Sequence, residues 1–352
     1  MSRIGIGVGA VVVLALAACG ANDAAGPVTL RLVAYDSFPV ADTTLNAALA
    51  EFSADTGIAV KVIIAGDAGT MATKATLTAG NPEGDVMWGI DNTLLSRVLD
   101  AEVFDPYEST QLPAIFPQLA AIVPGHELTP VDFGDVCINY DIAWFEERDL
   151  DPPTTLADLT APAYRNLLVV QNPASSSPGL AFLLATVAEY GPRGWQAYWQ
   201  SLVDNGVEVV DSWTSAYYER FSGSSGAGPR PLVVSYASSP PAEVVFAEPP
   251  RTDAPTASVD DTCFRQVELA GVLRGTDHTD EARQLVDFLA GSAFQAEIPL
   301  NLFVWPARAD VALPAVFTEH GAVVDEPLTL APADISANRE AWVDEWTEIV
   351  LR

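Results

Sequence analysis

The chain has 352 residues, 49% of them hydrophobic, which is enough apolar material for a sizeable core and excludes a disordered polymer. Its 47 acidic residues against 17 basic ones give a formal charge of −30. That balance repels nucleic acid and other polyanions, welcomes small cations, and suits the solvated surface of an exported protein.

The chain opens with "MSRIGIGVGAVVVLALAACG", which has one arginine, an apolar run too short to span a bilayer comfortably, and small residues before a cysteine. This is the pattern of a signal peptide over residues 1–18. Leu16-Ala17-Ala18-Cys19 resembles the lipobox of bacterial lipoproteins, which implies cleavage before Cys19 and a lipid on its sulfur. Residues 19–27 would then be a linker from that anchor, and the mature protein would be held on the outer face of the membrane without crossing it.

The remaining roughly 330 residues exceed one hydrophobic core and predict two lobes. One unit recurs five times: an apolar β-branched run, a polar or aromatic loop, then a helical stretch. The instances are "TLRLVAYDSF", "GDVMWGIDN", "NLLVVQNPASSS", "GVEVVDSWTSAYY" and "RPLVVSYASS". Runs apolar on both faces predict an α/β fold with mostly parallel sheets flanked by helices. Helices are expected where Leu45, Ala48, Leu49 and Phe52 share a face that stops at Gly57, and from Leu180 to about Tyr190. Others fit residues 92–100, 194–204, 214–221, 280–290 and 337–350. Residues 131–141 and 263–275 read as two strands crossing between lobes. The first lobe would hold 28–135 and 271–352, and the second 136–270.

Ligands of open parallel sheets bind beyond the carboxyl ends of the strands, and all five quoted loops stand there. Cys137 and Cys263 remain after processing, in a compartment that permits oxidation; they can pair or stay as two buried thiols, and the disulfide is the expectation. No metal site and no cofactor is expected.

"VAYDSF", "DVMWGIDNTLL", "QNPASSSPGL", "SWTSAY" and "LVVSYASSP", in this order and followed by "SAFQAEIPLNLFVWPA", resemble the successive signature stretches of periplasmic thiamine-binding proteins. The resemblance implies a two-lobed type 2 solute-binding fold that closes over its ligand and serves an ABC transporter permease. Thiamine joins a flat aminopyrimidine to a permanently positive thiazolium, so it calls for aromatic faces and carboxylates. Each cation–π contact contributes about 0.5–2 kcal/mol.

The resemblance carries Tyr35, Trp213, Tyr217 and Tyr236 to the aromatic positions around the ligand. Asp36 and Asp91, the latter with Asn92, follow strands where a carboxylate can meet the cation or cap the next helix, and Asp67 is a third candidate. The loop Ser175-Ser176-Ser177-Pro178-Gly179, Ser175 and Ser176 first, can offer hydroxyls and free N–H groups to a polar or phosphorylated part of the ligand, or simply cap the following helix. Ser238, Phe303 and Trp305 complete the set. Three departures stand out: Ala174 where relatives carry arginine, Phe303 and Trp305 where they tend to carry tryptophan and tyrosine, and Asp42 near a missing tryptophan.

Two rival functions remain. A ferric-ion-binding protein of the same fold would use the adjacent phenols of Tyr217 and Tyr218. A secreted hydrolase would need a motif, and the sequence has no G-x-S-x-G, H-E-x-x-H or phosphate-binding glycine loop. The expectation is therefore a monomeric, non-enzymatic binding protein with thiamine as ligand and a permease as partner.

Overall fold

A computed structural model describes residues 28–352. The expected signal peptide over residues 1–18, the expected Cys19 anchor and the linker 19–27 therefore lie outside the described residues. Among the described residues no helix is long and apolar enough to cross a membrane.

Among the described residues ten strands form one mixed sheet. They are β1 (Thr29–Ala34), β2 (Ala59–Ile64), β3 (Val86–Asp91), β4 (Phe104–Asp105), β5 (Thr129–Asp141), β6 (Leu168–Gln171), β7 (Glu208–Val210), β8 (Leu232–Tyr236), β9 (Thr256–Leu273) and β10 (Trp305–Pro306). The order is β2-β1-β3-β9-β5-β8-β6-β7, with β4 on β9 and β10 on β5. Three strands at each end run parallel to one another, while β5 and β9 lie antiparallel between them. The predicted α/β architecture is thus present, as two parallel triplets on a shared antiparallel pair, with each of the five β-branched runs a strand.

The register fixes where a cleft must form. The last residue of β3, Asp91, pairs with Glu268 in the middle of β9. The last residue of β8, Tyr236, pairs with Val136, which faces Phe264. Both triplets therefore aim their carboxyl ends at the same short stretch, residues 264–268, from opposite directions. Loops and helix starts from both sides converge there.

Helices follow the expected segments. α1 (Thr44–Thr56) is capped by the Thr43 side chain and stops at Gly57, whose φ of 75° is the left-handed conformation glycine adopts without cost. α2 (Ala68–Leu77) and α3 (Leu95–Asp100) follow β2 and β3. The helix Ser177–Tyr190 is buried on every side from Ser177 to Val187, and Trp195–Asp204 packs beside it through a Phe182–Trp199 edge contact at 5.6 Å. The C-terminal helix Pro332–Val350 lays Trp346 edge-on against Trp199 at 5.4 Å and also touches α3, so it contacts helices on both sides of the β5–β9 pair.

The pair itself is cross-linked. Cys137 of β5 and Cys263 of β9 form a disulfide, beside an Arg265 guanidinium that holds the buried Asp135 carboxylate through Nη2–Oδ2 at 3.1 Å. Of the alternatives left by the sequence, paired and separate thiols, the molecule adopts the pair.

Candidate functional site

A cavity of about 320 Å³ opens where the two sets of strand ends meet. Its wall combines aromatic rings (Tyr35, Trp213, Tyr217, Tyr218, Tyr236, Phe246, Phe303) with three carboxylic acids, Asp36, Asp67 and Glu268. No lysine, arginine or histidine is among the lining residues.

The aromatic side is rigidly built. After β7 the chain enters a helical turn that widens into a π-helix, Ser215–Arg220, a form that recurs at functional sites. It stacks the Trp213 and Tyr217 rings at 4.9 Å and 15°, with Tyr218 edge-on at 5.5 Å. The indole is held at two points: Trp213 Nε1 donates to Ser235 Oγ at 3.0 Å, and its backbone N–H donates to Asp67 Oδ2 at 3.0 Å. Tyr236 donates its hydroxyl to Gln266 Oε1 at 3.1 Å. Its ring lies against Gly134, where an added Cβ would come within 2.8 Å of Cδ1. Tyr35 lies still closer on Gly89, at 2.3 Å by the same construction, and Gly89 has a φ of 101°. Both tyrosines thus rest on bare backbone, which only glycine leaves open.

Phe303 sits in the left-handed region at φ 54°, an uncommon state for a bulky residue. Its carbonyl accepts from Ser238 Oγ at 2.8 Å, and its ring meets Phe246 at 5.4 Å. Ser238 therefore positions Phe303 without lining the cavity itself.

The carboxylates differ in environment. Asp67 caps α2 by accepting from the Ala68 N–H at 2.6 Å while also accepting from Trp213, and burial pushes its carboxyl up to about 6. Asp36, more exposed, is raised by partial burial. Asp91 is fully buried and does not reach the cavity. Its Oδ1 accepts from the N–H groups of Thr93 at 2.7 Å and Leu94 at 3.2 Å, and its Oδ2 from Gln266 Nε2 at 2.9 Å and from the Ser177 hydroxyl. Asp91 is a turn-capping and positioning group behind the wall, and burial raises its carboxyl to about 6.

Four other sequence-predicted residues also stand off the wall. Asn92 ties the end of β3 to β9, donating to the Arg265 carbonyl at 3.2 Å and accepting from the Val267 N–H at 2.9 Å. Ser175 donates to the Asp211 carbonyl at 2.6 Å. Ser176 is fully buried; the hydroxyl that reaches the cavity at this helix start is that of Ser177. Trp305 packs edge-on against Phe317 at 4.6 Å and donates to the Ala322 carbonyl at 3.3 Å, which turns it into core. Ala174 is held by a hydrogen bond from its N–H to Asn172 Oδ1 at 2.9 Å, and Asp42 adopts a φ of 61°.

Sequence reasoning missed Glu268 and Gln266, and it singled out Ser175 and Ser176 of the serine loop where Ser177 is the one that lines the cavity. The signal for the first two was present: in "CFRQVELAGVL" the polar residues 266 and 268 share a parity inside an apolar strand, so both face one side. Tyr217 and Tyr218 line the cavity, with the Tyr217 hydroxyl buried and its ring committed to Trp213. Among the described residues no group of three or more His, Cys, Asp or Glu side chains is placed to hold a metal ion.

Comparison with known proteins agrees with this geometry. The family model for "bacterial extracellular solute-binding protein" matches residues 84–320. The thiamine-binding periplasmic protein of Salmonella typhimurium is 30% identical over 338 residues, covering 95% of this chain and 97% of the relative. That of Escherichia coli K12 is 29% identical over 341 residues, again covering 95% and 97%. A solved periplasmic thiamin binding protein superposes with a TM-score of 0.79 at 27% identity, over 92% of this chain and 96% of that one. A ferric binding protein from Campylobacter jejuni, 13% identical with a TM-score of 0.68 over 91% and 99%, shares the fold alone. Two parallel triplets on a shared strand pair, a cleft at their meeting ends and these matches together place the chain in the family of bacterial extracellular solute-binding proteins, with the type 2 periplasmic-binding fold.

Proposed function

We propose that the protein captures thiamine in the cleft and delivers it to an ABC transporter permease, chemically unchanged. The observation that carries this reading is the composition of the wall: seven aromatic residues and three carboxylic acids with no positively charged side chain among them. A permanently positive, flat heterocycle satisfies both halves of that wall. Rings supply cation–π and stacking surface, and acids supply opposite charge and acceptors for an exocyclic amine. The similarity to thiamine-binding periplasmic proteins over nearly the whole chain supports the same ligand.

Within this reading Tyr35, Trp213, Tyr217, Tyr236 and Phe303 contact the ligand, and Asp36, Asp67 and Glu268 balance its charge. Segments 28–135 and 271–352 form one lobe and 136–270 the other, hinged on β5 and β9. A signal peptide over 1–18 and lipid on Cys19 keep the protein at the outer membrane face, near the permease. Iron is the weaker reading, because the Tyr217 hydroxyl is buried and burial moves both phenols away from the phenolate form that binds iron. Phosphate esters are disfavoured, since the wall offers acids where a phosphate needs a cation.

Calorimetric titration with thiamine, thiamine monophosphate, thiamine diphosphate and Fe(III) tests this. Thiamine should bind most tightly, with each added phosphate weakening binding at least tenfold. No heat with thiamine, or preference for the diphosphate or for iron, overturns the reading.

A further inference from the structure

At the floor of the cleft Glu268 is backed by a second carboxylic acid, Asp132. Asp132 of β5 and Glu268 of β9 are cross-strand partners in register, a placement in which like charges oppose folding. Asp132 is 0% and Glu268 7% exposed. No donor from the rest of the described residues reaches either Asp132 oxygen or Glu268 Oε2, and the two carboxyls lie within hydrogen-bond reach of each other, a contact that needs a proton on one of them. Glu268 is part of the cavity wall.

The surroundings offer these acids no base. Asp91 faces them from β3, Tyr35 from the end of β1 and Tyr236 from β8, and Asp67 acts on Tyr236 from the start of α2. Arg339 of the C-terminal helix attracts Asp91, and Arg97 of α3 in turn repels Arg339. Burial pushes both carboxyls up, and the charge of Asp91 adds to the push. Two buried anions in register, with no cation beside them, are strongly disfavoured as ions. The inexpensive empty state keeps a proton on the pair.

We propose that Asp132 and Glu268 form a proton-exchange cation subsite, which holds a proton while the cleft is empty and releases it to solvent as the positive ring of the ligand settles against Glu268. One positive charge replaces another, so the buried charge is unchanged. This rests on the thiamine reading and adds its specificity device: an uncharged analogue of the same shape displaces no proton and leaves the pair protonated. Glu268 is the contact residue, and Asp132, behind it, sets its proton affinity.

The test is calorimetry of thiamine binding to the wild-type protein at neutral pH in two buffers of different ionisation enthalpy, repeated from pH 6 to 9. Up to one proton should be released per thiamine, and affinity should rise with pH by up to tenfold per unit before levelling off. Glu268→Gln should abolish the release and the pH slope; Asp132→Asn, the second variant, should shift the slope to lower pH. Binding without proton release, or the same release and slope in folded Glu268→Gln, overturns the subsite and leaves thiamine recognition standing. Absence of thiamine binding by the wild type overturns the thiamine reading, and the subsite with it.

Discussion

Trp213 is the best-anchored ring in the cleft. Its indole N–H is bound to Ser235, its backbone N–H to Asp67, and one face is stacked on Tyr217. A ring fixed before the ligand arrives loses little freedom on binding, so most of its attraction appears as affinity. Trp213→Ala removes that surface and leaves Tyr217 without its partner. Thiamine affinity should fall at least tenfold by calorimetry, about 1.4 kcal/mol, and an unchanged affinity would remove Trp213 from the site. Tyr35, Asp36, Trp213 and Tyr236 were legible in the sequence because each stands just beyond a β-branched run. Glu268 and Gln266 were not, because they sit inside the run "CFRQVELAGVL", where attention falls on the apolar positions. Asp91, Asn92, Ser175 and Trp305 share the strand-end or aromatic character of true wall residues. Only the pairing of their side chains with Thr93, Val267, Asp211 and Ala322 distinguishes them.

At the level of elements, the fold follows from strands whose both faces are covered. β3, β6 and most of β8 are buried throughout, and such runs are recognisable from composition alone. β2 was not read as a strand: it is the edge of the sheet, with "AVKVII" only partly buried along its length, so its apolar signal is diluted by Lys61. The antiparallel pair β5–β9 carries the load between the two triplets, and the Cys137–Cys263 disulfide joins these strands beside the Asp135–Arg265 ion pair. The cross-link closes a loop of sequence separation 126. Restricting so long a loop in the unfolded chain stabilises the native state by about 2–5 kcal/mol. The double variant Cys137→Ala with Cys263→Ala should lower the unfolding free energy in urea by that amount. A stability within about 0.5 kcal/mol of the oxidised parent would show that the strand pair does not depend on its cross-link.

For the molecule as a whole, the two sides of the cleft already touch. The Asp67 carboxylate meets the Trp213 N–H, the Thr70 N–H donates to the Ser175 carbonyl at 3.1 Å, and the Ser177 hydroxyl donates to Asp91. α2 approaches the 172–177 loop so closely at Gly69 that a Cβ there would lie 2.6 Å from the Ser175 carbonyl oxygen. These contacts join α2 and β3 on one side to the loops after β6 and β7 on the other, and they leave the cavity between them. Closure of this kind shifts a population of open and closed states, and a ligand that touches both walls favours the closed one. The charge of −30 draws small cations toward such a cleft, although it is spread over the whole surface and does not choose among them. The proposed reading assigns that choice to the ring-and-carboxylate wall, so a crystal structure of the protein grown with thiamine tests the account most directly. Density for the vitamin should lie between Trp213 and the Tyr35–Tyr236 side, with the thiazolium turned toward Glu268. An empty cleft, or thiamine bound elsewhere on the molecule, would contradict it.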